Sequence, residues 1–123
     1  MKVKKIRIRP KEQFWSELHE VARALDRGEA LKRYAPGVFF DSLDAVRKVL
    51  TDKRLELWRT IRDRKPGSIS ALAKMVGRGF RPVHRDLMLL QYFGLIRLGK
   101  TKGKRGDLQC PVSLADELQV AVA

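Results

Sequence analysis

Cysteine is nearly absent. Cys110 stands alone in 123 residues, which excludes an intrachain disulfide and any cysteine-based zinc cluster and fits a reducing compartment. Histidine is almost as scarce: His19 and His84 lie far apart in the sequence without a second ligand at metal spacing, so neither a metal site nor a cofactor is expected. Long apolar runs are missing too. The most apolar-rich stretch, Leu87 to Leu98, is interrupted by Gln91 and Arg97, and the opening MKVKKIRIRP lacks the apolar centre of a signal peptide. The expectation is a soluble, cytoplasmic protein with no membrane partner. The fourth shortage is of acid, with 14 Asp plus Glu against 27 Lys plus Arg.

The resulting net charge of +13 sets up a field that attracts polyanions, and nucleic acid comes first among them. Its distribution is uneven. Residues 1–50 hold 12 basic and 7 acidic groups, residues 51–107 hold 15 and 5, and residues 108–123 hold two acids and no base. An excess concentrated in one segment points to an anionic partner there, more than to helix faces merely solvated by lysine and arginine. With 44% hydrophobic residues the chain has material for one core and too little for two nucleotide-binding lobes.

Hydrophobic periodicity gives the order of elements. Ile6 and Ile8 alternate with basic residues in a half-buried strand from Val3 to Arg9, ended by Pro10. Phe14, Leu18, Val21, Ala22 and Leu25 form a helical stripe between Lys11 and Arg27, stopped by Gly28. Ala35-Pro36-Gly37 reads as a loop, and Val38-Phe39-Phe40 as a very short strand or an apolar plug. Ser42 caps a helix running to Leu50, with Leu43, Val46, Val49 and Leu50 as its buried side, and Thr51 caps the next, from Asp52 to Arg64. After Pro66-Gly67, Ser68 or Ser70 opens a further helix, Gly77-Arg78-Gly79 turns the chain, and Pro82 opens the last helix, with Gly94 past its end. Leu95 to Leu98 reads as a strand, Gly99 to Gly106 as a basic tip, and Leu108 to Val112 as the returning strand.

Two enzyme signatures appear by letter inside Val83–Thr101. Gly94-Leu95-Ile96-Arg97-Leu98-Gly99-Lys100-Thr101 satisfies the phosphate-loop pattern, yet its wildcard positions are strand-like and Lys-Gly-Lys-Arg-Gly-Asp cannot start the helix that pattern requires. His84-Arg85-Asp86-Leu87 opens like a kinase catalytic loop, but the metal-binding Asn of that loop is replaced by Gln91 and no glycine-rich lid accompanies it. No catalytic residue is assigned, and Asp86 is read as a partner for a nearby arginine.

Three short helices, a strand, a basic tip and a second strand, in that order, match a winged helix-turn-helix of the α+β class. The run from Leu50 to Leu98 resembles MarR-like winged-helix transcriptional regulators, and more narrowly a group of small prokaryotic predicted regulators, some antitoxin-like. The resemblance rests on the Ser-Ile-Ser-Ala-Leu-Ala-Lys entry (68–74), the Val-His-Arg-Asp-Leu start (83–87) and the Gly94-Leu95-Ile96 exit. It implies residues 51–123 as the DNA-binding domain with a C-terminal strand, preceded by a strand–helix extension, residues 1–50, suited to dimerisation. The implied function is sequence-specific binding of double-stranded DNA as a regulator, most simply a repressor. An antitoxin-type module meeting a toxin protein and an RNA-binding winged helix are the alternatives.

In such a fold the last helix enters the major groove. At 100° per residue, Arg81, Arg85, Met88 and Tyr92 lie opposite the apolar positions Val83, Leu87 and Leu90. Arg81 and Arg85 are the expected base contacts, since a guanidinium donates two bonds to guanine; phosphate clamping is their other reading. Pro82 and His84 border this face. Ser68, Ser70, Lys74 and Arg78 are expected at phosphates around the turn, and Lys100, Lys102, Lys104 and Arg105 at the backbone or minor groove from the tip. Ile6, Ile8, Phe14, Leu18, Val21 and Leu25 are candidates for a homodimer interface, with the tail Leu118, Val120, Val122; alternatively the two end strands pair within one chain.

Overall fold

The computed structural model describes residues 1–9, 12–29, 39–103 and 106–122. In order they form β1 (Val3–Ile8), α1 (Phe14–Asp26), β2 (Phe39–Phe40), α2 (Leu43–Val49), α3 (Asp52–Arg64), α4 (Ile69–Val76), α5 (Phe80–Tyr92), β3 (Ile96–Gly103), β4 (Gly106–Ser113) and β5 (Glu117–Val122). The fold is α+β. One sheet has the order β2-β1-β5, parallel throughout, and β3 and β4 make a separate antiparallel hairpin.

Short polar side chains start three helices by accepting backbone N–H groups that would otherwise lack partners. Ser42 Oγ accepts from Ala45 N at 3.1 Å, Thr51 Oγ1 from Arg54 N at 3.3 Å and Ser68 Oγ from Ala71 N at 3.0 Å. Ser68, rather than Ser70, is therefore the cap of α4. Gly77 ends α4 in the left-handed conformation (φ 67°), where a Cβ would be strained. α5 begins two residues earlier than Pro82 suggests. Gly79 is extended (φ −69°, ψ 157°) and serves as its N-cap, so Pro82 lies inside the first turn, where its missing N–H costs nothing.

The core is one cluster drawn from both sides of residue 50. Ile6, Phe14, Val21 and Phe40 pack with Val49, Leu57, Ile61, Leu72, Leu87, Leu90, Phe93 and Ile96. Phe40 fixes the two-residue strand β2 to this core through rings on either side, Phe14 at 5.3 Å and Phe93 at 5.0 Å between centroids. The segment 38–40 is thus both strand and plug for its described residues; Val38 and the expected Ala35-Pro36-Gly37 loop lie outside them, as does Lys11, and α1 starts at Phe14. Ile6, Phe14 and Val21, expected at an interface between copies, are buried within the single chain, and Ile8, Leu18 and Leu25 pack partly against the same core. Leu43, expected on the buried side of α2, is instead exposed; Ala45 takes its place because the stripe turns toward Val46 and Val49. Tyr92, expected on the free face of α5, is half-buried against the core because α1 packs on that side.

The end strands pair with each other in parallel, Val3 with Glu117 through Ile8 with Val122. The hairpin is longer than its apolar letters suggest, pairing from Ile96–Ser113 out to Gly103–Gly106. The phosphate-loop letters fall on the exit of α5 and on β3, where Thr101 continues in a strand. Among the described residues no helix is long and apolar enough to cross a membrane.

A buried ion triad joins the helices. Asp86, 8% exposed, accepts from Arg54 Nε at 3.0 Å and from Arg78 Nη2 at 2.8 Å. Arg54 Nη1 also donates to the carbonyls of Lys48 (3.1 Å) and Val49 (3.0 Å), satisfying the end of α2. Two guanidiniums left around a neutral residue would be uncompensated in a poorly solvated site, which costs about 3–5 kcal/mol when one partner of a buried pair is removed. Asp86→Ala should lose that much stability in urea denaturation; a loss below about 1 kcal/mol would show that solvent screens the triad.

Candidate nucleic-acid interface

The N-terminal half of α5 presents a face of mixed character. Asp86, Leu87 and Leu90 turn inward, which leaves Phe80, Arg81, Pro82 and Arg85 exposed and His84 and Met88 half-buried. Phe80 is 49% exposed, and its ring stacks on His84 with centroids 5.7 Å apart and planes at 21°. A bare aromatic ring at the entry of a helix, beside two arginines, is the feature that sequence reasoning missed. Its signal is the four-residue spacing from Phe80 to His84, hidden when the helix is started at Pro82.

α1 lies alongside this face. Arg85 Nη1 forms an ion pair with Asp26 Oδ1, at the last residue of α1. Between the end of α1 and α5 runs a groove of about 600 Å³ lined by Leu25, Asp26, Glu29, Phe80, Arg81 and His84, among others. A smaller one of about 180 Å³, lined by Trp15, Leu18, Arg54 and Leu89, shares Leu25 and Arg85 with it. Hydrogen bonds from Arg27 (2.8 and 3.1 Å) hold the Glu29 carboxyl below the usual range, so the group is charged at neutral pH. The groove therefore carries cations on its α5 wall and carboxylates on its α1 wall.

The remaining expected residues are placed unequally. Ser70 and Lys74 are exposed on α4, while the Ser68 hydroxyl already accepts the Ala71 amide. Arg78 is half-buried and held by Asp86, so it stiffens the turn instead of offering a free cation. Lys100 and Lys102 are exposed on β3, two residues apart and hence on one face of the hairpin, opposite Gln109 and Asp107. They do not line the α1–α5 groove. Lys104 and Arg105 lie outside the described residues. Among the described residues no group of three His, Cys, Asp or Glu is placed to hold a metal.

The class this geometry defines is a basic α+β chain in which a short turn joins two helices, the second bearing an exposed cationic and aromatic face, with a lysine-bearing hairpin after it. Residues 49–117, more than half of the chain, match the model of the HVO_A0114 family, and the chain belongs to that family. The match opens at the end of α2 and closes on the first residue of β5, so it takes in α3, α4, α5 and the hairpin. No curated protein and no solved structure matches the chain.

The Arg85–Asp26 pair is solvent-exposed on both sides, and such pairs contribute about 0–1 kcal/mol. Asp26→Ala should accordingly leave thermal and urea stability within about 1 kcal/mol of the parent. A larger loss would show that this pair, and not the apolar stripe of α1, holds the helix against α5.

Proposed function

We propose that the chain is a winged helix-turn-helix regulator that binds double-stranded DNA sequence-specifically, with α4 and α5 as the helix pair, α5 as the reader and the β3–β4 hairpin as the wing. The observation that carries the reading is the exposed Phe80–Arg81–His84–Arg85 face at the start of α5, in a chain of net charge +13 whose excess is concentrated between residues 51 and 107. An arginine near the start of a groove-inserted helix reaches guanine with two donors, and an exposed phenylalanine beside it suits contact with a thymine methyl. Ser70 and Lys74 suit phosphates flanking the groove, which position the duplex without reading it. Lys100 and Lys102 add neutralisation from the wing. The resemblance of residues 50–98 to MarR-like winged-helix regulators points the same way, and a repressor acting in the cytoplasm is the simplest form of the proposal.

Arg81 is the primary reader, because among the described residues no ion pair holds it. Arg85 contacts DNA by exchanging Asp26 for the duplex, so Asp26→Ala should tighten binding modestly to every duplex by removing a carboxylate from the cationic face.

The test is a salt titration of affinity for a selected site and for a scrambled duplex. Arg81→Ala should cost about 1–3 kcal/mol on the preferred site and flatten discrimination between the two. Lys102→Ala should weaken both by similar factors and lower the salt slope by about 1. An unchanged preference in Arg81→Ala, with the preference lost in Lys102→Ala, would make the hairpin the reader. Equal or tighter binding of structured RNA at matched salt would replace DNA as the partner.

A further inference from the structure

We infer that β5 is the interface through which two copies of this chain associate, by antiparallel pairing of β5 with β5 of the second copy about a two-fold axis centred on Val120. The inference deepens the regulator reading by naming its self-association surface, and the geometry that carries it is independent of DNA.

Among the described residues β5 is an edge strand, hydrogen-bonded only to β1. In a parallel ladder, alternate residues direct both backbone groups to the same neighbour. Glu117 N donates to Lys2 O, so Glu117, Gln119 and Ala121 face β1, whereas the N–H and C=O groups of Leu118, Val120 and Val122 point away from it. Such an edge templates pairing with another strand. Proteins that must stay apart blunt it with lysine, proline or a bulge. ELQVAV has none of these: its one charge is Glu117, at the start. Val120 is paired with the buried Ile6 and shares its face of the sheet, yet is 46% exposed.

Charge identifies the occupant. A chain of +13 repels its own copies wherever basic surface meets basic surface within about a Debye length, roughly 8–10 Å. The longest stretch without Lys or Arg runs from Gly106 to Ala123, and β5 lies in it. β5 itself carries no base, and although it lies beside β1 with Lys4, Lys5 and Arg7, pairing through it keeps the two β1 strands about three strand spacings, roughly 14 Å, apart and so beyond a Debye length. Around an axis at Val120, the outward groups of Leu118 meet those of Val122 in the second copy, and Val120 meets Val120 as a hydrogen-bonded pair with Cα atoms about 5.5 Å apart. The two three-stranded sheets then join into one, and a closed isologous dimer results. The dimer uses the exposed strand in place of the Phe14–Val21 stripe, which the core of each chain consumes.

The experiment is sedimentation velocity of the full chain over the micromolar range, without DNA, with far-UV circular dichroism as a check on folding. The wild type should sediment at twice the mass of the chain. Val120→Pro removes an outward N–H while leaving every donor to β1 in place, and should raise the dissociation constant about tenfold or more. Val120→Lys keeps the backbone donors and sets two ammonium groups against each other at the axis; it should be monomeric and folded, and it decides the matter if the proline variant does not fold. A monomeric wild type overturns the proposal, as does a Val120→Lys chain that dimerises like the parent. Either result leaves the DNA reading standing if a selected duplex is still bound, and a dimer that binds no duplex sinks that reading alone.

Discussion

One carboxylate holds the arrangement of the helices. Asp86 sits on the inner side of α5, with Arg54 from the start of α3 on one oxygen and Arg78 from the α4–α5 turn on the other. Arg54 reaches on to the last carbonyls of α2. Four consecutive elements are thereby referred to a single charged group, at the level of packing and electrostatics. The direction in which α5 presents its outer face follows. With Asp86, Leu87 and Leu90 committed inward, helical geometry leaves Phe80, Arg81 and Arg85 outward. A buried triad of this kind is expensive to desolvate and does not by itself make the fold more stable than an apolar core would be. What it supplies is a fixed geometry for a turn that contains two glycines and would otherwise be soft.

The N-terminal segment belongs to this machinery as much as the basic middle does. α1 buries Phe14 and Val21 against β2 and α5, and its last residue, Asp26, is paired with Arg85. The face proposed to meet DNA is therefore bordered by carboxylates on one side, and binding a polyanion there requires the duplex to compete with Asp26 for Arg85. The edge proposed for self-association, β5, is by contrast a strand without Lys or Arg.

Much of the local structure was legible because it is set by nearby residues. Ser42, Thr51 and Ser68 act on amides three positions ahead, and Gly77 ends α4 through its own backbone freedom. Asp86 was readable as an arginine partner from its place on the inner side of α5, although which arginines it meets was not. The misplaced features depend on distant groups. Arg85 appears free on a helical wheel, and only the fold brings Asp26 to it. The stripe Phe14–Val21 looks the same whether it faces a second copy or the chain's own core. Pairing of the two end strands within one chain was one of two readings the sequence left open, and it is the one found; β1 and β5 are more than a hundred positions apart, so periodicity could not choose between them. Pro82 suits a first turn anywhere within it, so sequence alone starts α5 two residues late and leaves Phe80 outside the helix.

The proposed role of α5 is to read the sequence of double-stranded DNA. Selection of bound fragments from sheared genomic DNA by the full chain, at physiological salt and followed by sequencing, tests it most directly. A short recurring motif should be enriched, present as an inverted repeat if two copies bind together, and that enrichment should be lost in Arg81→Ala while total DNA recovery falls much less. Recovery of fragments with no common motif, equal for the parent and Arg81→Ala, would contradict it and leave only electrostatic attraction to a polyanion.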